Sequence, residues 1–508
     1  MITTILIALT FIGIALLLFK AFIQPLYRIS FYTKQGLKQK FFVPFLGLLY
    51  QMIKDMNGKQ KDAMYTLKHL PQNIKEQNLD GFVANLGSTP VIYLLDATLI
   101  GEFLQKQTEY YQKSEFATKM SILLFGKGVV FSEGEEWKTK RKLLSNTFHY
   151  NLIQDQVKLV LNVTEKIFEQ QDQNSVCFLQ TVEKIGGDVG LMSFLGADIN
   201  NYTLFGQEPT AGINQYINQL MSYMKNPLTV LMGGYLFNNQ VRGSDKKVKQ
   251  GSQEIKNLLK KVVLDVIDRT KNQMNDGKQN VDTSIISLML KNGQLKTEEE
   301  IDELVILTLN FYFAAKDTVS RLVANLMYYI GKNDHIYNKL EKEILSFKDE
   351  EINIENMKKY NYLEAVIKES LRVCGPSPFL IQRTALQDHN LGKYKIQKGT
   401  DVNCVFIYNF YNEKYFENPF EFNPERWLDQ AQLEKIKINP FSYLPFSGGS
   451  RNCIGQYFAM MEIKAIMIYF MRTYEKFQIP ENFQYHIIIK TTIETKDHLT
   501  CSLKKRVK

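Results

Sequence analysis

The run Phe446-Ser447-Gly448-Gly449-Ser450-Arg451-Asn452-Cys453-Ile454-Gly455 sets one thiol in a glycine-rich turn and leads straight into the helical pattern of Gln456 to Glu462. A lone cysteine would ordinarily read as a small buried hydrophobe. Here a helix start just after the sulfur and Arg451 two residues before it both favour the charged thiolate. Gly448 and Gly449 let the backbone bend and approach a flat ligand, and Gly455 removes a side chain that would collide at the helix start. The turn reads as a thiolate offered to a metal under a planar macrocycle.

Little else in the chain competes for that role. The cysteines, Cys177, Cys374, Cys404, Cys453 and Cys501, are odd in number and scattered with no CxxC pair, which fits a reducing compartment without structural disulfides. His69, His149, His335, His389, His486 and His498 are too far apart in sequence to suggest a histidine metal site. The net charge of +9 suits an acidic partner or an anionic membrane surface. No basic block is dense enough or interleaved with enough aromatic residues to argue for nucleic acid. With 45% hydrophobic and 23% charged residues over 508 positions, a substantial core is available, either as one large catalytic unit or as several domains.

The order Phe446, Gly449, Arg451, Cys453, Gly455 resembles the haem-binding loop of the cytochrome P-450 family, in which the cysteine is the axial iron ligand. That resemblance implies haem b (iron protoporphyrin IX) as cofactor and a mainly α fold with a small β region, the cytochrome P-450 fold. It extends over nearly all of the chain beyond the N-terminus, in the family's motif order.

At the N-terminus, Ile2 to Phe19 is an uncharged, largely apolar run ended by Lys20, long enough to be read as one transmembrane helix. The absence of a basic n-region and the length of the run argue against a cleaved signal peptide. Arg28, Lys34, Lys38 and Lys40 follow it, so the charge rule leaves the remainder on the cytoplasmic side. The expected organisation is a membrane anchor over residues 1–25 and a haem-thiolate catalytic domain over 26–508. In the family this arrangement implies the endoplasmic reticulum membrane. The hinge after the anchor is reduced to Pro25, Pro44 and Gly47.

Trp137 and Arg141 share a helix face four residues apart. Alone they read as a surface ring and a charge. They also resemble the family's Trp-x-x-x-Arg helix, whose side chains hydrogen-bond a haem propionate, with Lys138, Lys140 and Lys142 toward solvent, where the reductase docks. From about 151 to 290 apolar residues recur at helical spacing, broken around Asn226 to Gly234 and Asn275 to Asn280. By family position the first break covers the substrate pocket, with Leu228, Val230, Leu231, Met232, Tyr235, Leu236 and Phe237; a packed loop is the alternative.

Thr297 to Ile330 reads as one long helix carrying Ala314-Ala315-Lys316-Asp317-Thr318. A carboxylate and a hydroxyl in an apolar helix need partners or work to do. On their own, Thr318 would bond back to the carbonyl four residues earlier and Asp317 would reach solvent. The stretch resembles the family's oxygen-activation motif, in which Ala314 and Ala315 would border the haem and Asp317 and Thr318 would guide protons. Ala315 replaces the usual glycine and Val319 a frequent second threonine, which predicts a tighter groove and one hydroxyl fewer. Ala314 also replaces the glutamate that esterifies haem in one fatty-acid hydroxylase branch.

Glu369 and Arg372, three apart on a helix from about Tyr360 to Val373, would alone be a weak surface pair worth about 0 to 1 kcal/mol. With Pro376, Pro378 and the segment Phe422 to Trp427, they resemble the family's Glu-x-x-Arg helix and its downstream partner, which implies a buried network of Glu369, Arg372 and Arg426. Arg383 resembles a further propionate-binding arginine. Tyr394 to Ile396, Asp401 to Tyr408 and Tyr485 to Lys490 read as strands, and a helix is expected from Gly455 to about Tyr474.

The resemblance therefore implies a monooxygenase inserting one atom of dioxygen into a lipophilic compound. Phe311, Phe313, Phe379 and Leu380 would line its pocket. The chain carries no GxGxxG on a strand-to-helix turn, so the electrons would come from a separate NADPH-dependent flavoprotein reductase. The alternatives are a haem-thiolate isomerase or dehydratase, which needs no external electrons, and a non-catalytic haem-binding sensor.

Overall fold

The computed structural model describes the chain except residues 1, 20–22, 41–47, 49, 52–53, 55–78, 87–88, 107, 116, 119–125, 148–149, 200, 225–228, 230–234, 276–283, 292–294, 296, 490–491 and 508. It begins with α1 (Ile2–Leu18) and α2 (Gln24–Thr33), then β1 (Lys38–Gln39), β2 (Gly81–Leu86), β3 (Thr89–Leu94), α3 (Ala97–Lys106) and β4 (Tyr111–Lys113). The helical middle comprises α4 (Gly134–Thr147), α5 (Tyr150–Glu169), a short strand β5 (Val176–Cys177), α6 (Phe178–Leu195), α7 (Pro209–Met224), α8 (Gly243–Asn275), α9 (Ile285–Lys291), α10 (Glu298–Lys332), α11 (Asp334–Ser346) and α12 (Asn361–Cys374). Then follow β6 (Arg383–Ala385), β7 (His389–Leu391), β8 (Tyr394–Ile396), β9 (Asp401–Cys404), α13 (Phe406–Phe410), α14 (Gln430–Ile438), α15 (Gln456–Thr473), β10 (Ile487–Ile489), β11 (Ile493–Thr495) and β12 (Thr500–Cys501). The mainly helical character with small sheets is the expected one. The run expected as a strand to Tyr408 turns into α13 after Cys404.

These elements group into two compact units. One contains residues 1–114, 368–453 and 484–496. Its sheet runs β1-β2-β3-β9-β6-β4, with β2–β3 an antiparallel hairpin and β3–β9 parallel, Val91 opposite Asp401. The inner face buries Val83, Ile92, Leu94 and Val402 against Phe103 and Tyr111. Burial on alternating sides explains why these β-branched runs pair as strands.

The other unit contains residues 115–367, 454–483 and 497–508. Its central element is α10, started by a capping box in which the Thr297 side chain accepts from the Glu300 N–H and Glu300 accepts from the Thr297 N–H. Asn333 ends α10 and caps α11. Helix α6 lies close along α10. A Cβ at Gly186 would come within 3.2 Å of the Lys316 Cα, and one at Gly190 within 3.3 Å of the Ala315 Cβ. Small residues on α6 thus bring it near the α10 backbone, as ridge-into-groove packing requires.

Among the described residues no helix is long and apolar enough to cross a membrane. Helix α1 has 17 residues, about 25 Å at the usual rise, against a hydrocarbon core of about 30 Å. Its large apolar side chains are exposed, Phe11 by 69%.

Candidate active site

In the first unit, the loop before α15 is held by backbone bonds. The Cys453 N–H donates to the Phe446 carbonyl at 3.0 Å, Asn452 to Gly449 at 3.2 Å and Ser447 to Leu444 at 3.1 Å. Gly449 has φ +70° and Ser447 φ +61°, so the loop turns twice through the left-handed region. Gly448 is instead extended, and a Cβ there would press on Leu104 and Leu444. Its part is close packing, not the bend expected of it. The loop leaves the thiol outward.

None of the five cysteines forms a disulfide, and Cys453 is the exposed one. Burial pushes the Cys374 and Cys404 thiols far up, and Cys501 up to about 12. Those groups are inert fillers. Burial is the largest influence on Cys177 and acts to raise it, but hydrogen bonds to His498, the Gln180 backbone and Thr500 together with the His498 charge outweigh it and leave that thiol below its ordinary value. Cys177 is half-buried in the β5–β12 ladder opposite Thr500, a poor approach for a wide ligand.

Gly455 opens α15 in the second unit. A Cβ built there meets nothing within 4 Å, so the collision expected at this position is not with the protein's own atoms.

Arg383 sits in β6 of the first unit, 2% exposed, in register with Lys113 and Val402 and close to the Cys404 thiol. Arg451 is half-buried in the loop. In the second unit Trp137 is 8% exposed and packs in the core with Leu144, so it is no surface ring. Arg141, one turn on, is half-buried. Lys138 and Lys142 are exposed, but Lys140 is not the solvent-facing residue expected. It is buried and donates to the Lys127 carbonyl at 3.0 Å and Glu136 at 2.8 Å, and it lies 3.3 Å from Glu303 on α10.

On α10, Ala314 is exposed while Lys316 and Asp317 are buried. The Ala315 methyl faces Gly190 of α6. That methyl thus lies on the side that packs against α6. Thr318 donates to the Ala314 carbonyl at 2.7 Å, the local bond that apolar surroundings favour. Asp317 does not reach solvent. It pairs with Arg321 at 3.0 Å, and Arg321 reaches Glu183 of α6 at 2.6 Å.

The first unit also brings Glu369, Arg372 and Arg426 together. One Glu369 oxygen, Oε1, accepts from Arg372 Nη2 at 2.8 Å, Arg426 Nε at 3.0 Å and the Asn423 N–H at 2.8 Å. The other accepts from Arg372 Nε at 3.0 Å and Trp427 Nε1 at 2.9 Å. Arg372 spends its remaining donors on the Phe410, Pro419 and Glu421 carbonyls. Both charges are buried and fully hydrogen-bonded, the condition under which such a pair holds.

Several contributors carry little sequence signal. Trp427 follows Arg426 in the turn Pro424–Trp427 and could be suspected from adjacency. Arg321 lies one turn after Asp317, but Glu183 is 138 residues away from it and only the fold joins them. Of the expected pocket residues, Phe311 stacks on Phe194 at 5.1 Å, and Phe379 pairs with Val405 beside a second core cluster. Phe313 and Leu380 are half-buried. Leu228, Val230, Leu231 and Met232 lie outside the described residues. Tyr235 is exposed, Leu236 buried and Phe237 between the two.

A mainly helical fold that presents one exposed thiol from a twice-turned loop ahead of a helix is built as a haem-thiolate protein. The comparisons agree: the cytochrome P450 family model matches residues 39–495, and the chain belongs to that family. It is similar to cytochrome P450 4V2 of Mus musculus, 27% identical over 77% of this chain and 75% of the relative. It also matches cytochrome P450 4c21 of Blattella germanica, 26% identical over 85% and 86% of the two chains, and cytochrome P450 4ae1 of Drosophila melanogaster, 25% identical over 92% of each. The protein is a haem-thiolate monooxygenase, and its cofactor is haem, bound through a cysteine thiolate.

Proposed function

We propose that Cys453 is the thiolate ligand and that this enzyme hydroxylates a lipophilic substrate with electrons from a separate NADPH-dependent flavoprotein reductase. The exposure of Cys453 alone among the five cysteines carries the reading. Bound haem supplies the oxygen-activating chemistry, which an electron-rich sulfur ligand favours.

The chain's own residues divide the remaining work. The loop from Phe446 to Gly455, with its turn at Gly449, fixes the sulfur, and Arg451 adds positive charge beside it. Arg383, Arg141 and Trp137 would hold the cofactor's carboxylates through charge-assisted or neutral N–H donors. Ala314, exposed on α10, would keep the surface beside the cofactor small, while the Ala315 methyl lets α6 pack close at Gly190. Asp317 and Thr318 hold and pass protons, for which each must be able to leave its resting partner. Glu369, Arg372 and Arg426 fix the segment behind the loop.

Lys138 and Lys142 are exposed and suit an acidic reductase surface. The exposed apolar side chains of α1 support insertion of this helix into the endoplasmic reticulum membrane, with the charged residues after it on the cytoplasmic side. Tyr235 is exposed and suits a lipid-facing entrance.

The test is the carbon monoxide difference spectrum of the reduced protein, wild type against Cys453→Ala. The wild type is expected to give the strongly red-shifted Soret band of thiolate ligation and the variant to lose it. A variant that keeps the band overturns the assignment of Cys453.

A further inference from the structure

Four charged side chains meet where α6 crosses α10. Lys316, Asp317 and Arg321 come from α10 and Glu183 from α6. Arg321 Nη1 lies 3.0 Å from Asp317 Oδ1 and 2.6 Å from Glu183 Oε1, while Lys316 Nζ lies 3.5 Å from the same Glu183 oxygen. Their side chains are 6% exposed at Asp317, 7% at Lys316, 11% at Arg321 and 21% at Glu183. The close approach at Gly186 and Gly190 lets a side chain one turn earlier on α6 reach α10.

An arginine stays protonated and cannot itself pass a proton. Its effect on Asp317 is to hold the carboxylate in one place. For Asp317 to serve the Thr318 hydroxyl it must swing away from Arg321, and a buried cation left alone is costly. Glu183 removes that cost, because the same Nη1 that holds Asp317 already donates to it. When Asp317 moves, Glu183 is the anion that still faces both Arg321 and Lys316. Burial lowers the Lys316 pKa, and Glu183 and Asp317 in the same cluster act against that shift.

We propose that Glu183 is a positioning residue for proton delivery: acting through Arg321, it releases Asp317 to serve Thr318. The proposal rests on the proton role assigned to Asp317 above. Glu183 touches neither oxygen nor substrate. It sets how easily the acid leaves its resting bridge.

The test uses the haem-loaded full chain with reductase and compares Glu183→Gln, Arg321→Gln, Arg321→Lys, the double variant Glu183→Gln/Arg321→Gln and Asp317→Asn. Substrate oxidation and reductant consumption are measured in H2O and D2O. Glu183→Gln is expected to lose about tenfold in product formation, on the scale of a weakened acid-base contribution, with a larger solvent isotope effect and more unproductive reductant use. Arg321→Gln, having no bridge to break, is expected to show no larger isotope effect than wild type. The double variant should resemble Arg321→Gln, and Arg321→Lys, which restores a cation, should resemble wild type. A general packing defect would move the two single variants in the same direction.

Crystal structures supply a readout apart from activity. Asp317 should stay bridged to Arg321 in Glu183→Gln and shift in Arg321→Gln. Wild-type rate and isotope effect in Glu183→Gln, or an unmoved Asp317 in Arg321→Gln, would overturn the proposal. If Asp317→Asn matches wild type, the proton role of Asp317 fails and the inference falls with it. If Asp317→Asn is impaired and Glu183→Gln is not, the inference alone fails.

Discussion

Glu462 is wholly buried on α15, and neither carboxylate oxygen has a hydrogen-bond partner among the described residues. Burial raises its pKa from an ordinary 4.5 to about 8. Below pH 4.5 the carboxyl is protonated in folded and unfolded chains alike and contributes nothing to the pH dependence. Between pH 4.5 and 8 only the unfolded chain ionises, so folding is progressively penalised as pH rises, and above 8 the penalty is constant. Glu462→Gln should therefore be as stable as wild type at pH 4 and more stable at pH 8, by an amount on the order of a few kcal/mol at most. Denaturant midpoints at the two pH values check this, and an unchanged difference between them would show that Glu462 is ionised and solvated in the fold. The sequence offers only a carboxylate within an apolar helix. Whether it has a partner is a question of tertiary packing.

At the scale of elements, α10 shows local rules and tertiary ones acting on the same segment. Its start at Thr297, with Glu298, Glu299 and Glu300 in the first turn, follows from capping chemistry in the sequence, and the expected helix over Thr297 to Ile330 differs from the observed one by two residues at its end. The direction of the Ala315 methyl and the contact of Arg321 with Glu183 depend on α6, about which the local sequence says nothing, whereas Asp317 and Arg321 pair one turn apart within α10. Helix α12 and the turn Pro424–Trp427 are tied in a similar way by the single carboxylate of Glu369. Glu369→Ala leaves Arg372 and Arg426 buried without their anion, and a loss of about 3 to 5 kcal/mol is expected. Its signature is early haem loss on heating, followed by Soret absorbance. Retention of haem and of the wild-type melting temperature would show that the backbone carbonyls around Arg372 suffice.

For the whole molecule, the exposed apolar surface of α1 is the feature that a haem-binding fold does not itself require. A chain lacking residues 2–23 is expected to leave the membrane fraction on extraction with salt alone and to keep the carbon monoxide spectrum of the full chain. If the shortened chain stays with the membrane, another surface binds lipid. Helix α1, Ile2–Leu18, ends one residue before the expected apolar run does at Phe19.

The bounds of the long helices, and the proposal of Cys453 over four other thiols, rest on local sequence, since turn, cap and helical-period rules act over a few residues. The burial of Lys140 and Trp137, the Glu183–Arg321–Asp317 bridge and the donation from Trp427 to Glu369 were decided by tertiary structure. Each depends on side chains brought together from distant elements, and their partners in three dimensions determine whether a charge is exposed, paired or buried alone.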